Sequence, residues 1–228
     1  MKPKRGLQLD RVVLLGRTLE EYSRFFAFDP ADLAGRRVLD IASGVSSFCA
    51  ECRACGIDAV GVDPIYDWPA AAIAEQCRAD LDEVYRLIDL PVYRWTSYRD
   101  PQQMRDFRER ASKLFLEDFQ PGPAYIAGAL PKLPFESLSF DVTFVSYFLF
   151  VYEEHLSLEL HRESLREIMR VTRREARIYP LVTFEAERSA YLDALLADPA
   201  LAHLRFEEVR TDFEFLANSN AYLKITHA

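Results

Sequence analysis

The sequence predicts an α/β protein built on a seven-stranded mixed sheet. Helices cover both faces, the last strand runs antiparallel, and a helical insertion separates the second and third strands. Three observations carry this reading. Arg37–Ile41 and Ala59–Asp63 are short apolar runs bounded by turn residues, with a glycine-containing loop and one helical stretch between them. Such a strand–loop–helix–strand succession, about 30 residues long, is a βαβ unit and implies parallel pairing. Near the C-terminus, Phe206–Phe215 and Ala221–Thr226 follow each other with only Ala217-Asn-Ser-Asn220 between them, a turn-rich hairpin connection.

The elements follow in chain order. Asp10–Phe26 reads as a leading helix, because Val13, Leu14, Leu19, Tyr22, Phe25 and Phe26 recur at helical spacing. Asp29-Pro30 ends it, and Gly35 turns the chain into the first strand. A helix over Ser47–Cys55 stops at Gly56. The segment 67–120 departs from simple alternation: it holds helices over Pro69–Leu87 and Pro101–Phe119 and an extended piece at Val92–Trp95. A crossover needs one helix only, so this extra material beside the strand ends suits a lid or substrate wall. Ala124–Ala127, Phe140–Ser146 and Ala176–Val182 are the next strands, with helices over Leu156–Thr172 and Ala186–Leu196. No internal repeat or low-complexity tract interrupts them, and the chain reads as one domain over 1–228.

Composition narrows the function classes. Half of the 228 residues are hydrophobic, enough for a full core. The formal net charge of −8 disfavours nucleic acid, whose binding rests on a basic face. No run approaches the ~20 apolar residues that span a bilayer. Lys2, Lys4 and Arg5 are not followed by an apolar stretch, so no secretory signal is expected. Cys49, Cys52 and Cys55 fall within seven residues, a poor disulfide framework that points to a reducing cytoplasm. Their spacing could suggest a metal or iron–sulfur site. They lie on the helix after the glycine loop, where small apolar side chains serve packing, and the fourth ligand of a closed site does not follow nearby, so no metal is expected.

Two constellations point to a nucleotide-like ligand. In Asp40-Ile-Ala-Ser-Gly44-Val-Ser46 the turn after the first strand lets a ligand approach the backbone and aims amide N–H groups at it. Asp63, 23 residues beyond Asp40, ends the second strand, where an acidic side chain can accept hydrogen bonds from both hydroxyls of a ribose.

With these residues the chain resembles the class I S-adenosylmethionine (SAM)-dependent methyltransferases, which have a Rossmann-like fold. The resemblance covers nearly the whole chain and includes Val38-Leu-Asp-Ile-Ala-Ser-Gly44, Gly61-Val-Asp-Pro64 and Leu133-Pro-Phe-Glu-Ser-Leu-Ser-Phe-Asp141. More narrowly the chain is similar to a bacterial subgroup with unassigned substrate, through Gly16-Arg17, Glu21-Tyr22, Ser43–Phe48, Asp63–Tyr66, Ala129–Phe135, Tyr147–Tyr152 and Arg177–Leu181. The resemblance implies SAM as cofactor. It implies that Asp40, Ala42, Ser43 and Gly44 hold the methionine part and Asp63 the ribose. Pro64, Ile65, Ala129 and Leu130 would then lie along the adenine. Ser146 and Tyr147 would border the sulfonium and the acceptor, and Arg17 and Tyr22 would close over the methionine carboxylate and amine. The chain departs from the family pattern at Ala42 and Ser46, often glycine, at Ala129, often acidic, and at Arg173-Arg-Glu-Ala176, where a Pro-Gly-Gly turn is usual. Side chains at 42 and 46 crowd the ligand and narrow the backbone's choices.

Methyl transfer asks the protein mainly to align nucleophile and methyl and to exclude water, with a base only for some acceptors. Tyr147 and His155 are the candidate catalytic groups. The plainer reading, an aromatic wall for Tyr147 and a solvated histidine before a helix for His155, is favoured over a catalytic role. His161 reads as a satisfied core histidine, and Glu153 and Glu154 as charges suited to a helix start. The acceptor is a small molecule or a protein side chain. Two other readings stay open: a SAM- or S-adenosylhomocysteine (SAH)-binding sensor without catalysis, and a nicotinamide-dependent oxidoreductase, since Asp63 suits either nucleotide. Trp68, Tyr93 and Trp95 could shape an acceptor site or serve the core.

Overall fold

The computed structural model describes residues 6–228. Lys2, Lys4 and Arg5, used above for the N-terminal reading, lie outside them. The sheet contains β1 (Arg37–Ile41), β2 (Asp58–Val62), β3 (Tyr125–Ile126), β4 (Phe140–Ser146), β5 (Thr172–Tyr179), β6 (Leu204–Arg210) and β7 (Ala221–His227). Their order is β3-β2-β1-β4-β5-β7-β6. Strand β7 runs antiparallel to both of its neighbours, β5 and β6, and pairs with β6 as the expected hairpin. The strand order reverses between β1 and β4, and such a switch point leaves a crevice above the carboxyl ends of the strands.

The helices are α1 (Leu19–Phe25), α2 (Phe48–Ala54), α3 (Ala70–Arg86), α4 (Pro101–Asp118), α5 (Leu158–Val171) and α6 (Ala190–Leu196). Every residue of β1 after Arg37 is buried, as strands covered on both sides require. One face packs Val38 and Phe144 against Tyr22 and Phe25 of α1, Phe26 just after it, and Phe48 of α2. The other packs Leu39, Val145 and Ile178 against Leu165 and Ile168 of α5 and Leu192 and Leu195 of α6. No helix among the described residues is long and apolar enough to cross a membrane.

The insertion between β2 and β3 holds α3 and α4 as expected. The extended piece at 92–95 is tied to the β6–β7 connection: the Arg94 amide donates to Phe215 O at 2.7 Å and the Ala217 amide to Val92 O at 2.7 Å. That connection is therefore longer than expected, since β6 ends at Arg210 and Phe213 and Phe215 turn inward to the core. Strand β5 starts at Thr172, four residues early, because Thr172 and Glu175 pair with β4 across an irregularity at Arg173 and Arg174, a polar stretch where apolar content gives no signal.

The expected leading helix over 10–26 is the main correction. Only Leu19–Phe25 is helical, started by Thr18 and Glu21, each of which caps the other's backbone amide. Residues 6–17 form an irregular strap whose backbone bonds to distant side chains instead of to itself. The Leu14 amide donates to Asp80 Oδ2 at 2.7 Å, and the Val13 amide to the Tyr152 hydroxyl at 3.1 Å.

Candidate active site

The strap roofs a cavity of about 280 Å³ that runs along the carboxyl ends of the strands. Its floor starts with the loop 42–47 between β1 and α2. Ala42 and Gly44 both lie in the left-handed region, at φ +54° and +53°. Gly44 takes this conformation freely, whereas the Cβ of Ala42 makes it cost about 1 kcal/mol or more. Side chains at the end of β2 hold the loop down. The Gly44 amide donates to Asp63 Oδ2 at 3.0 Å, and the Tyr66 hydroxyl donates to Gly44 O at 2.9 Å. Asp63 also receives the Ile65 amide at 3.1 Å. Burial pushes the Asp63 carboxyl up to about 6, against the pull of those two amides.

Asp40 differs from the expectation. It is fully buried and does not reach the cavity wall. Side chains alternate along a strand, so Asp40 shares the face of Val38 and points into the α1–α2 layer beneath the loop. There it accepts the Tyr22 hydroxyl at 2.9 and 3.0 Å and Ser43 Oγ at 2.6 Å. Burial raises its carboxyl to about 7, although both hydroxyls lower it.

The remaining cofactor candidates are brought together. Arg17, Tyr22, Ala42, Ser43, Gly44, Asp63, Pro64, Ile65, Ala129, Leu130 and Ser146 all line the cavity, as does Tyr147. Arg17 is buried, donates to Leu15 O and Gly16 O at 2.7 and 3.1 Å, and lies 4.4 Å from the Tyr147 ring centroid. Its Nε and the hydroxyl of Ser146 are buried without a partner. Burial, then repulsion from Arg108, lowers the Arg17 guanidinium from its usual value. Tyr147 is left-handed at φ +50°, a strained turn of the kind that gathers at functional sites. Burial pushes its phenol up against the influence of Arg17, so it enters the cavity as a neutral hydroxyl.

His155 lies outside this cavity. Its Nε2 sits 2.7 Å from Leu9 O and fastens the strap from the far side of Tyr152. His161 is a satisfied core residue, with its nitrogens at Ser157 O (2.9 Å) and Leu149 O (3.1 Å). Tyr93 stacks on Phe215 at 4.6 Å and Trp95 packs edge-on to the same ring, both away from the cavity, whereas half-exposed Trp68 is on its rim. Cys49 and Cys52 are buried on α2 and Cys55 is exposed, so the three do not share one environment.

Sequence reasoning missed the strap residues Leu7 and Val12–Leu15, and Phe148, Tyr152 and Phe184. One signal was available. Gly6 and Gly16 bracket the strap, and neither has room for a side chain. A Cβ on Gly6 would lie 1.9 Å from Phe184 O, and one on Gly16 would lie 2.3 Å from Val45 O. Backbone carbonyls cannot swing aside, so Gly16→Ala is expected to lift the strap from the loop and cost about 1–3 kcal/mol. Loss of protection of the Leu14 amide in hydrogen exchange checks this. Unchanged protection would mean that the strap is held from elsewhere.

No family model matches the chain. Among solved structures it is similar to magnesium protoporphyrin IX methyltransferase (ChlM) from Synechocystis with bound SAM, at 12% identity over 92% of this chain and 78% of that one, TM-score 0.46. It is similar to the PH0226 protein from Pyrococcus horikoshii, at 16% identity over 91% of each chain, TM-score 0.48. A third likeness is to a SAM-dependent methyltransferase from Methanosarcina mazei, at 13% identity over 84% of this chain and 92% of that one, TM-score 0.44. In sequence it is 35% identical over 97% of its length to 99% of an uncharacterized archaeal protein. That relative gives no support to the narrower bacterial grouping. The chain belongs to the same family as uncharacterized protein MJ0045 of Methanocaldococcus jannaschii.

Proposed function

We propose that the chain is a single-domain SAM-dependent methyltransferase acting in the cytoplasm. One observation carries the reading. An enclosed cavity at the strand switch point presents Asp63, the loop 42–47 and two unpartnered buried polar groups, Arg17 Nε and Ser146 Oγ. Orphaned polar groups of this kind cost about 1–3 kcal/mol each unless something binds them. Arg17 suits a carboxylate, Asp63 a ribose, and the apolar edge of Pro64, Ile65 and Leu130 an adenine. The four cysteines are free, Cys55 on the surface, as in a reducing compartment.

When bound, SAM would supply a methyl on a sulfonium: the acceptor's lone pair forms the new bond, and the sulfur–carbon pair returns to sulfur. The protein's part is placement. Arg17, fixed by two carbonyls and the Tyr147 ring, sets the depth of the ligand. Ser146 and Tyr147 offer neutral hydroxyls beside the reacting end. The strap excludes water. No lining side chain is an unengaged base: both oxygens of Asp63 serve the backbone, and the Tyr147 phenol is held protonated. The acceptor atom therefore arrives with its lone pair available.

Titration calorimetry with SAM, SAH and NAD tests the reading. Binding of SAM and SAH without NAD is expected, and labelled methyl should reach an acceptor. SAH binding with no transfer across acceptor panels would make the chain a sensor, and NAD binding alone would make it a dinucleotide protein. Asp63→Ala should weaken SAH by ~1–3 kcal/mol. Only the ionised carboxylate accepts both ribose hydroxyls, so SAH affinity should also fall as pH drops below about 6. A folded Asp63→Ala protein with unchanged affinity would remove Asp63 from the ribose.

A further inference from the structure

The cavity wall extends past the cofactor candidates. The sheet order β3-β2-β1-β4-β5 sets its axis, with Ala129 and Asp63 near one end and Ser146 toward the other. Beyond Ser146 the wall passes to Phe148 and Tyr152 after β4, to Phe184 after β5, and to Leu7 and Val13 of the strap. The Tyr152 and Phe184 rings meet edge to face at 5.0 Å and an interplanar angle of 88°. The Tyr152 hydroxyl is taken by the Val13 amide.

None of these five side chains is charged. Of the two cations on the cavity wall, Arg17 stacks on Tyr147 and is tied to two carbonyls, its Nε assigned above to the cofactor's carboxylate, and Arg11 is bound to Asp80 at 2.6 Å. His155, Glu153 and Glu154 face a separate hollow behind the strap. A charge entering the aromatic end would lose its hydration with nothing to replace it, whereas an apolar ring gains contact with several rings at once. At the inner edge of this end, Ser146 Oγ has no partner and is ready for a single heteroatom. The roof argues for size. The strap is pressed onto Phe184 at Gly6 and onto Val45 at Gly16, with no room for a Cβ at either, so a polymer cannot lie across the cavity while it is closed.

We propose that this end is the acceptor subsite and takes a small, uncharged aromatic or apolar molecule, with its one polar atom at Ser146 and its body among Phe148, Tyr152 and Phe184. This rests on the methyltransferase reading above for the word acceptor, but the subsite itself is testable without it. Saturation-transfer NMR would use indole, benzylamine, benzoate and a tryptophan-centred nonapeptide as probes, on wild-type protein with and without saturating SAH. Indole is expected to bind and the other three are not. Phe184→Glu places a carboxylate among the rings and should weaken indole by about tenfold or more. SAH affinity, set at the other end, should stay within about threefold. Leu7→Gln, on the strap, serves as the second variant should Phe184→Glu fail to fold. Equal binding of benzylamine, benzoate or the nonapeptide, no indole binding, or indole binding indifferent to a folded variant would each overturn the proposal. If SAH does not bind but indole does and responds to Phe184→Glu, the subsite stands and the methyltransferase reading falls.

Discussion

Arg108→Leu is expected to destabilise the protein by about 3–5 kcal/mol, because it removes one half of a buried ion pair. Arg108 on α4 and Glu21 on α1 are 2% and 1% exposed and meet at 2.6 Å. Arg108 also donates to Gly16 O at 2.9 Å and to the Tyr98 hydroxyl, and Tyr98 in turn bonds Glu21. The remaining partners of Glu21 are the Thr18 amide and hydroxyl, at 2.9 and 3.2 Å. Burial pushes the Glu21 carboxyl up, but Arg108 and Arg17 overcome it and hold the group below its usual range. Without Arg108 the burial effect wins. The variant's folded state then prefers the protonated carboxyl, so it recovers stability as pH falls toward 4. The wild-type pair does the opposite: its contribution is present above about pH 4.3 and is lost on further acidification. The gap between the two proteins should therefore narrow in acid. Urea unfolding at pH 5 and 8 measures it, and a cost under about 1 kcal/mol at pH 8 would mean that water reaches the pair. Glu21→Met/Arg108→Met should regain part of the loss, since no lone charge stays behind.

The same cluster shows where the sequence was legible and where it was not. Strands β1 and β4 have the bounds their apolar runs predict, Arg37–Ile41 and Phe140–Ser146, because turn residues flank each run and both faces are covered. The hairpin-linked last strand and the two inserted helices were equally plain from local patterns. What escaped depends on partners far along the chain. Val13 and Leu14 have helical spacing, yet their amides are claimed by Tyr152 and Asp80, 139 and 66 residues away, so the strap cannot coil. Glu21 drew notice only as a neighbour of Tyr22, since nothing near it announces Arg108. Phe184 lies in a connection without a motif, and Gly6, 178 positions earlier, packs on its backbone. Most of the site was visible because a βαβ unit places residues at strand ends by geometry. Asp40 was misplaced by that same reasoning, which fixed its height in the sheet but not its face.

Asp40 carries the other large effect. Its carboxyl, raised to about 7 by burial, titrates near 3.9 in an unfolded chain. Between those values the folded protein holds a proton that the unfolded chain has lost, so stability falls as pH rises from about 4 to 7 and then levels off. A three-unit difference corresponds to as much as ~4 kcal/mol. Asp40→Asn removes the titration while keeping one oxygen to accept both Tyr22 and Ser43. Near pH 4 the two proteins should unfold at similar denaturant concentrations. At pH 8 the variant should be the more stable by several kcal/mol, and equal pH profiles would mean that Asp40 is already ionised at low pH. Keeping a charge at such a cost makes sense if something positive arrives to use it. The proposed cofactor brings an ammonium and a sulfonium to the other side of the loop, which would draw the Asp40 pKa down and couple binding to proton release. SAH, which keeps the ammonium, should then stabilise wild-type protein more at pH 8 than at pH 6, and this difference should shrink in Asp40→Asn to the smaller part that Asp63 contributes. If it persists undiminished there, Asp40 does not sense the ligand's charge and Asp63 alone carries the pH dependence.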